Sequence, residues 1–235
     1  MFVFRERVGR VEVAFTSASH DGRPLNLALP GTPPAQVGDP VAGLAAVRAA
    51  LGEPVVRGMS QVHGATVVAA SAGGDGPAPE ADGMVTDEVG TALLVRVADC
   101  VPVVLADVER GVVGVAHAGR VGMAVGVVPA TVAALRELGA TELRAWVGPH
   151  VCGRCYEVPA AMRAEVATAV PASWSETSWG TPALDVAAGV RAQLDAAAVP
   201  STEVGGCTVE DPALWSHRRD GASAGRLAGL VQVVA

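Results

Sequence analysis

The sequence contains no lysine, so all 17 of its basic residues are arginines, which we attribute to the base composition of the genome rather than to function. Aromatic side chains make up only 3% of the residues, so the core has to be built from alanine, valine and leucine. Charged residues are also scarce at 17%, whereas half of the residues are hydrophobic. This balance excludes an intrinsically disordered chain.

The chain also lacks an excess of positive charge and a long uninterrupted apolar segment. Its net charge of −7 argues against a broad nucleic-acid-binding surface, so we expect no nucleic-acid partner. The most apolar stretch, 111–135, contains His117, Arg120 and Pro129, which do not suit a membrane helix. The N-terminal residues lack the apolar region of a secretory signal. We therefore expect a cytoplasmic protein without a membrane partner, whose four cysteines stay reduced.

The order of apolar segments predicts an α/β fold. A length of 235 residues suits a single domain over 1–235. Strands are predicted at 11–16, 66–70, 92–98, 101–106, 112–116 and 143–147, and helices at 41–51, 124–138, 159–170 and 187–197. Segments 30–40 and 71–79, rich in proline and glycine, are predicted loops. Near-continuous apolar strands between helices indicate one layered domain with a mixed sheet covered by helices, as a monomer or small homo-oligomer.

Three residues with metal-binding side chains lie where predicted strands meet turns. They are His63, Cys100 and His117, each beside small residues. Two imidazoles and one thiolate suit zinc, and three protein ligands leave a coordination position open, as in catalytic zinc sites. Their spacing matches no short zinc motif, however. On the residues alone, a Cys–His nucleophile pair and unconnected structural residues remain alternatives.

Six segments occur along the chain in the order found in a known family. They read QVHGA at 61–65, ADGMVTD at 81–87, ADCVPV at 98–103, AHAG at 116–119, VGP at 147–149 with CYEV at 155–158, and CT at 207–208 with RRDG at 218–221. Together they resemble the laccase-domain (YfiH-like) family, first described as polyphenol oxidoreductases and now as purine nucleoside phosphorylases. The resemblance implies the fold that these proteins share with toxin deamidases of the cysteine hydrolase type.

The same resemblance implies a function and a cofactor. It implies a zinc site formed by His63, Cys100 and His117, and phosphorolysis of adenosine, inosine and methylthioadenosine, with purine nucleosides and phosphate as partners. It also implies an accompanying adenosine deaminase activity. The family pattern HAGWRG is changed here to HAGRVG at 117–122, which shifts the position of an arginine.

Further polar residues are candidates for the chemistry. Cys100 and Asp99 are the predicted catalytic residues, although Asp99, as a strand neighbour of Cys100, can equally orient the site from behind. Asp82, which precedes Gly83, suits a turn and is also placed to hold a histidine.

Four residues are predicted to contact substrate. Arg218 and Arg219 suit phosphate, because a guanidinium matches its oxygens with two parallel hydrogen bonds. Asn26 and Gln61 are expected to donate or accept hydrogen bonds with the ribose or the base.

Two further interpretations remain open. The Cys152-x-x-Cys155 pattern suits redox or metal chemistry elsewhere, but no second cysteine pair accompanies it here. A rival function is a cysteine hydrolase acting on peptidoglycan precursor peptides, with Cys100 as nucleophile and His117 or His63 as its base. Five histidines are too few for a multicopper oxidase.

Overall fold

The computed structural model describes residues 1–29, 37–73 and 76–234. Parts of the two predicted loops, 30–36 and 74–75, lie outside the described residues. The strands are β1 Phe2–Val8, β2 Val11–Thr16, β3 Ser19–His20, β4 Arg23–Pro24, β5 Val55–Gly58, β6 Val67–Ala69, β7 Gly83–Thr86, β8 Thr91–Val97, β9 Val101–Asp107, β10 Val112–Ala118, β11 Leu143–Val147, β12 Trp174–Glu176, β13 Pro182–Leu184, β14 Ser201–Glu203 and β15 Leu227–Val233. The helices are α1 Pro40–Ala50, α2 Arg120–Ala124, α3 Val127–Glu137, α4 Ala160–Ala169, α5 Val186–Ala196 and α6 His217–Asp220.

Most of the strands form two large mixed sheets. The five-stranded sheet has the order β1-β2-β15-β8-β5, and the six-stranded sheet has the order β14-β11-β9-β10-β7-β6. Parallel pairing occurs between β5 and β8, between β6 and β7, and between β11 and β14, and the other neighbours in these sheets pair antiparallel. The remaining strands pair as two short hairpins, β3 with β4 and β12 with β13.

The central strands are buried on both faces, and β9 shows how. Val101, Val103 and Leu105 point to one face, where they join the core beneath the helices. Val104 and Ala106 point to the other face and join a core shared with the five-stranded sheet. Because side chains alternate along a strand, this continuous apolar run fills two separate cores.

The helices cover the outer faces of the two sheets. Helices α2 to α5 contribute buried side chains to the core over the six-stranded sheet, among them Val128, Val132 and Leu135 of α3. These three lie on one face of the helix, as their spacing predicts. On the opposite side of the molecule, Val47 of α1 and Leu51 after it pack on the five-stranded sheet.

The α/β class, with mixed sheets and helices, is confirmed, and two details differ from the prediction. There are two large sheets rather than one, so the inner face of each is covered by the other sheet and not by helices. The single helix predicted at 124–138 is two helices, because Gly126 adopts a φ of 90°, which an α-helix cannot accommodate. Among the described residues, no helix has both the length and the apolar composition needed to span a membrane.

Candidate metal centre

The fold brings His63, Cys100 and His117 together. One ligand atom from each lies within 4.8 Å of the other two. Cys100 Sγ lies 3.8 Å from His63 Nε2, and the two imidazole rings meet edge to face with their centroids 4.7 Å apart. Cysteine and histidine side chains at this separation form a compact set of nitrogen and sulfur donors.

The connection between the two sheets places two of these residues. The chain leaves β8 in the five-stranded sheet and enters β9 in the six-stranded sheet, with Cys100 as the last residue before β9. In the β9–β10 hairpin, His117 is paired with Pro102, two residues beyond Cys100. Asp99 turns the chain here with a φ of 87°, a strained conformation for a residue other than glycine.

Asp82 holds the other two elements of the site in place. Its carboxylate accepts hydrogen bonds from the backbone N–H groups of Val62, His63 and Gly64, at 3.2, 3.0 and 2.6 Å. These bonds fix the loop in which His63 adopts a φ of 62°. The same carboxylate lies 2.7 Å from Nδ1 of His117. Asp82 therefore serves both as a turn residue and as the partner that orients a histidine.

The electrostatic environment favours a thiolate at Cys100. Burial raises the pKa of the Cys100 thiol, but the hydrogen bonds and charges of His117 and His63 outweigh this effect and lower it from 9.0 to about 6. Burial lowers the pKa of His117, whereas Asp82 and Cys100 raise it, and the net result is about 9. Because the thiolate is the form that binds metals and attacks electrophiles, the site is prepared for either task.

The donor set fits a zinc ion. Nδ1 of His117 is engaged with Asp82, which leaves Nε2 as the ligand atom, and a carboxylate behind a ligating histidine is a common feature of zinc sites. His117 is 3% exposed, whereas the His63 side of the cluster is open to solvent. Three protein ligands with one open side are typical of catalytic zinc sites rather than structural ones.

Two cavities meet at the cluster. The first has a volume of about 500 Å³ and the second about 400 Å³, and Ala98, Cys100 and His217 line both. The polar residues of the first are Ser60, Gln61, His63, Arg96, His117 and Arg226. Those of the second are Asp99, Arg120, Tyr156 and Arg218. The metal-binding side chains thus lie where a ligand in one cavity can reach a ligand in the other.

The structure separates the two predicted arginines. Arg218 lines the second cavity, with its guanidinium 4.9 Å from the centre of the Tyr156 ring. Arg219 points away from it, because its guanidinium donates hydrogen bonds to the Asp220 carboxylate and to backbone carbonyls that include those of Thr208 and Leu214. This guanidinium ties a loop together and does not line either cavity.

Asp99, Gln61 and Asn26 also have partners within the protein. The Asp99 carboxylate lines the second cavity and accepts hydrogen bonds from the Thr208 hydroxyl and the Arg218 backbone N–H, each at 2.6 Å. Gln61 lines the first cavity, but its side-chain amide pairs with the backbone N–H and C=O of Arg96.

Asn26 is fully buried and lines neither cavity. Its side chain donates to the carbonyl of Val37 and accepts from the N–H groups of Ala28 and Arg226. Asn26 thus shapes the wall behind the first cavity.

Sequence reasoning missed two arginines that line the first cavity. Arg96 donates hydrogen bonds to the carbonyls of Leu27 and Met59, and burial lowers its pKa to about 10, so it remains charged at neutral pH. Arg226 donates to the carbonyls of Ala224 and Gly225. A charged residue within the apolar strand β8 is a signal that would have identified Arg96.

Comparisons with known proteins agree on the relationship. A family model described as multi-copper polyphenol oxidoreductase laccase matches residues 24–234. A purine nucleoside phosphorylase of Streptomyces coelicolor is 56% identical over 177 residues, covering 74% of this chain and 73% of that protein. A purine nucleoside phosphorylase of Mycobacterium tuberculosis is 44% identical over 204 residues, covering 83% and 81%.

A solved structure extends this likeness to the fold. The crystal structure of YlmD from Geobacillus stearothermophilus is similar with a TM-score of 0.85, at 26% identity over the whole of both chains. The matched sequence, the shared fold and the clustered His63, Cys100 and His117 agree, and the chain belongs to the family of laccase-like polyphenol oxidoreductases whose curated relatives are named purine nucleoside phosphorylases.

Proposed function

We propose that the protein is a zinc-dependent purine nucleoside phosphorylase that cleaves adenosine, inosine and methylthioadenosine with phosphate, and that it also deaminates adenosine. The observation that carries the proposal is the His63, Cys100 and His117 cluster, which lies between two cavities in a chain related to proteins of that name. Zinc bound by these three side chains would supply a Lewis acid beside the substrate.

The second cavity suits the phosphate. Arg218 and Arg120 bring two positive charges to its lining, and a guanidinium matches phosphate oxygens with two parallel hydrogen bonds. Asp99 holds the backbone of Arg218, and Tyr156 supports its guanidinium, so this side chain is positioned before phosphate arrives. In this proposal Asp99 positions Arg218 instead of exchanging a proton with the substrate.

The first cavity suits the nucleoside. It combines apolar lining from Leu29, Met59 and Val97 with the charged Arg96 and Arg226. In phosphorolysis a phosphate oxygen bonds to the anomeric carbon while the bond from that carbon to the purine breaks, and the purine keeps the electron pair. Cationic side chains stabilise the charge on both departing and attacking groups, and the two cavities hold these groups on either side of the reacting carbon.

Product analysis tests the proposal. Inosine with phosphate is expected to yield hypoxanthine and ribose 1-phosphate, and adenosine is expected to yield adenine with phosphate and inosine without it. Cys100→Ser should abolish these activities together with zinc binding at the cluster, whereas Arg144→Met, on an exposed strand position, should change neither. Full phosphate-dependent release of hypoxanthine by Cys100→Ser would overturn the proposal.

One observation supports a second candidate, a cysteine hydrolase acting on peptidoglycan precursor peptides. Cys100, His117 and Asp82 form a chain of contacts in which a low-pKa thiol adjoins a histidine held by a carboxylate, an arrangement used by nucleophilic cysteines. Cys100 cannot be both a zinc ligand and the free nucleophile. Protein that is isolated free of metal, alkylates at Cys100 and releases amide products from such peptides would favour the hydrolase.

A further inference from the structure

A second group of potential ligands lies apart from the first and shares no residue with it. It consists of Cys152, Cys155, Cys207 and Glu210, whose ligand atoms all lie within 4.8 Å of one another. None of the three cysteines is in a disulfide, and the Cys155 side chain is buried. Three thiols that converge on one carboxylate form a set of four donors, one more than His63, Cys100 and His117 provide.

Backbone pairing brings these distant residues together. His150 and Cys207 form an isolated parallel β-bridge, in which Thr208 N–H donates to the carbonyl of His150. Next to it, Cys155 N–H donates to the carbonyl of Cys152, which closes the Cys-x-x-Cys turn. Two turns thus face each other, each built by backbone hydrogen bonds that do not depend on the thiols.

A tight turn directs the carboxylate back toward the sulfurs. Glu210 N–H donates to the carbonyl of Cys207, so Glu210 lies one turn beyond that cysteine. Its Oε1 lies 3.3 Å from Cys155 Sγ and 3.9 Å from Cys152 Sγ. Arg154 approaches the same oxygen at 3.5 Å and supplies a positive charge beside the cluster.

The distances fit a tetrahedral ion. With zinc–sulfur bonds of about 2.3 Å and a zinc–oxygen bond of about 2.1 Å, the edges of a regular tetrahedron are about 3.6–3.8 Å. The two sulfur–oxygen distances lie on either side of this value. A disulfide would use two of the three sulfurs and would not require a carboxylate, whereas a four-coordinate ion uses every member of the group.

We propose that Cys152, Cys155, Cys207 and Glu210 bind a second zinc ion with a structural role. Four protein ligands leave no open position, which is the arrangement of structural rather than catalytic zinc sites. The charge of three thiolates and one carboxylate exceeds that of the ion, and Arg154 offsets part of the excess.

The ion would support the wall of the second cavity. Tyr156, which contacts Arg218, directly follows Cys155, and Thr208, which donates a hydrogen bond to Asp99, directly follows Cys207. Joining the two turns through a metal therefore fixes both residues that hold Asp99 and Arg218 in place. The proposal concerns metal binding, so it stands or falls independently of the reaction that the protein catalyses.

Metal titration of a His63→Ala/Cys100→Ser variant tests the proposal. This variant lacks two ligands of the first site, and its only thiols are those of the second. After chelation and addition of zinc under reducing conditions, it is expected to retain one zinc per chain, against two for the unaltered chain. With Co²⁺ in place of zinc, it should show strong thiolate-to-cobalt charge-transfer absorption, and bound zinc should protect all three thiols from a thiol-specific reagent.

Two further variants make the test independent of folding. Adding Cys155→Ser to the double variant should remove the remaining zinc. If that protein does not fold, Glu210→Gln should weaken zinc binding by about tenfold or more, as loss of groups around a metal commonly does. Glu165→Gln, at an exposed position of α4, is the matched control and should bind zinc unchanged.

The contrary results are equally definite. The proposal is wrong if the folded double variant binds no zinc and its three thiols react at the same rate with and without the metal. It is also wrong if Glu210→Gln and Glu165→Gln bind zinc equally well, because the carboxylate would then not be a ligand.

Discussion

Replacing Gly119 by alanine should disrupt the His63, Cys100 and His117 site without unfolding the protein. Gly119 precedes α2 with φ −71° and ψ 170°, a conformation that alanine adopts without strain. A Cβ atom there would lie 2.6 Å from Cδ2 of His63 and 3.2 Å from Sγ of Cys100. The effect of Gly119→Ala is therefore a steric displacement of metal ligands and not a backbone effect.

The size of the displacement sets the expected effect. Carbon atoms in contact are about 3.5–4.0 Å apart, so the His63 ring must move by roughly 1 Å. Metal–ligand distances tolerate only about 0.2 Å. We expect the affinity of this site for zinc to fall at least about tenfold, or by about 1.4 kcal/mol. The unfolding free energy should change less, because His63 is exposed and can move outward into solvent.

Zinc competition with a chelator measures the affinity, with Cys100→Ser as the reference for complete loss of this site. Gly73→Ala is the matched control, since a Cβ atom at Gly73 meets nothing within 4 Å. Phosphorolysis of inosine should fall in parallel with zinc occupancy. If Gly119→Ala retains the zinc affinity and the activity of the unaltered chain, the ligands do not surround Gly119 as described and the reasoning fails.

Three further substitutions give independent predictions. Asp82→Asn should weaken zinc binding by roughly 10- to 100-fold, because it removes the charge that orients His117 and the His63 loop. Asp107→Asn should destabilise the fold by about 2 kcal/mol near neutral pH, since the buried carboxylate accepts hydrogen bonds from the N–H groups of residues 110, 141 and 142. Arg218→Met should raise KM for phosphate about tenfold or more, because a hydrogen bond to a charged group contributes about 1.5–3 kcal/mol.

The effect of Asp107→Asn should also depend on pH. Burial raises the pKa of Asp107, but these hydrogen bonds lower it from 3.8 to about 2. The stabilisation is therefore complete above the unfolded pKa and is lost as the pH falls from 3.8 toward 2. Denaturant unfolding should show a difference between the two proteins that is constant at neutral pH and shrinks in acid, and a difference that grew in acid would contradict the assignment.

Exposed residues of the same type provide the controls for these variants. Asp195→Asn, at an exposed position of α5, should leave both zinc affinity and stability unchanged. Arg144→Met should leave KM for phosphate unchanged. An equal loss of zinc in Asp82→Asn and Asp195→Asn would show that charge alone, and not the contact with His117, sets the affinity. An unchanged KM in Arg218→Met would remove this residue from the phosphate site.

The sequence was sufficient for the fold class but not for the number of sheets. Strand β9 is apolar at every position up to Asp107, which correctly indicates burial on both faces. The same pattern results whether helices or a second sheet cover a face, so it cannot distinguish the two. The break at Gly126 was equally hidden, because the apolar positions of α3 continue the helical spacing across it.

The site was predictable only in part for a similar reason. The spacing of His63, Cys100 and His117 along the chain carries no signal, because their proximity depends on the crossing between sheets and on the β9–β10 register. The resemblance supplied these residues, but it could not show that Arg219 is fully engaged with the protein. Cys207 and Glu210 were missed as partners of the Cys-x-x-Cys turn, because an isolated bridge brings them there.

The connection at 98–100 links the amount of folded protein to the supply of metal. His63 lies beyond a strand of the five-stranded sheet and His117 belongs to the six-stranded sheet, so an ion held by both joins the two halves of the inner core. An ion that binds only the folded chain raises the unfolding free energy by about 4 kcal/mol when its concentration is 1,000 times Kd. A cell short of zinc would then hold fewer folded copies of this protein, and more of its chains would be open to proteolysis.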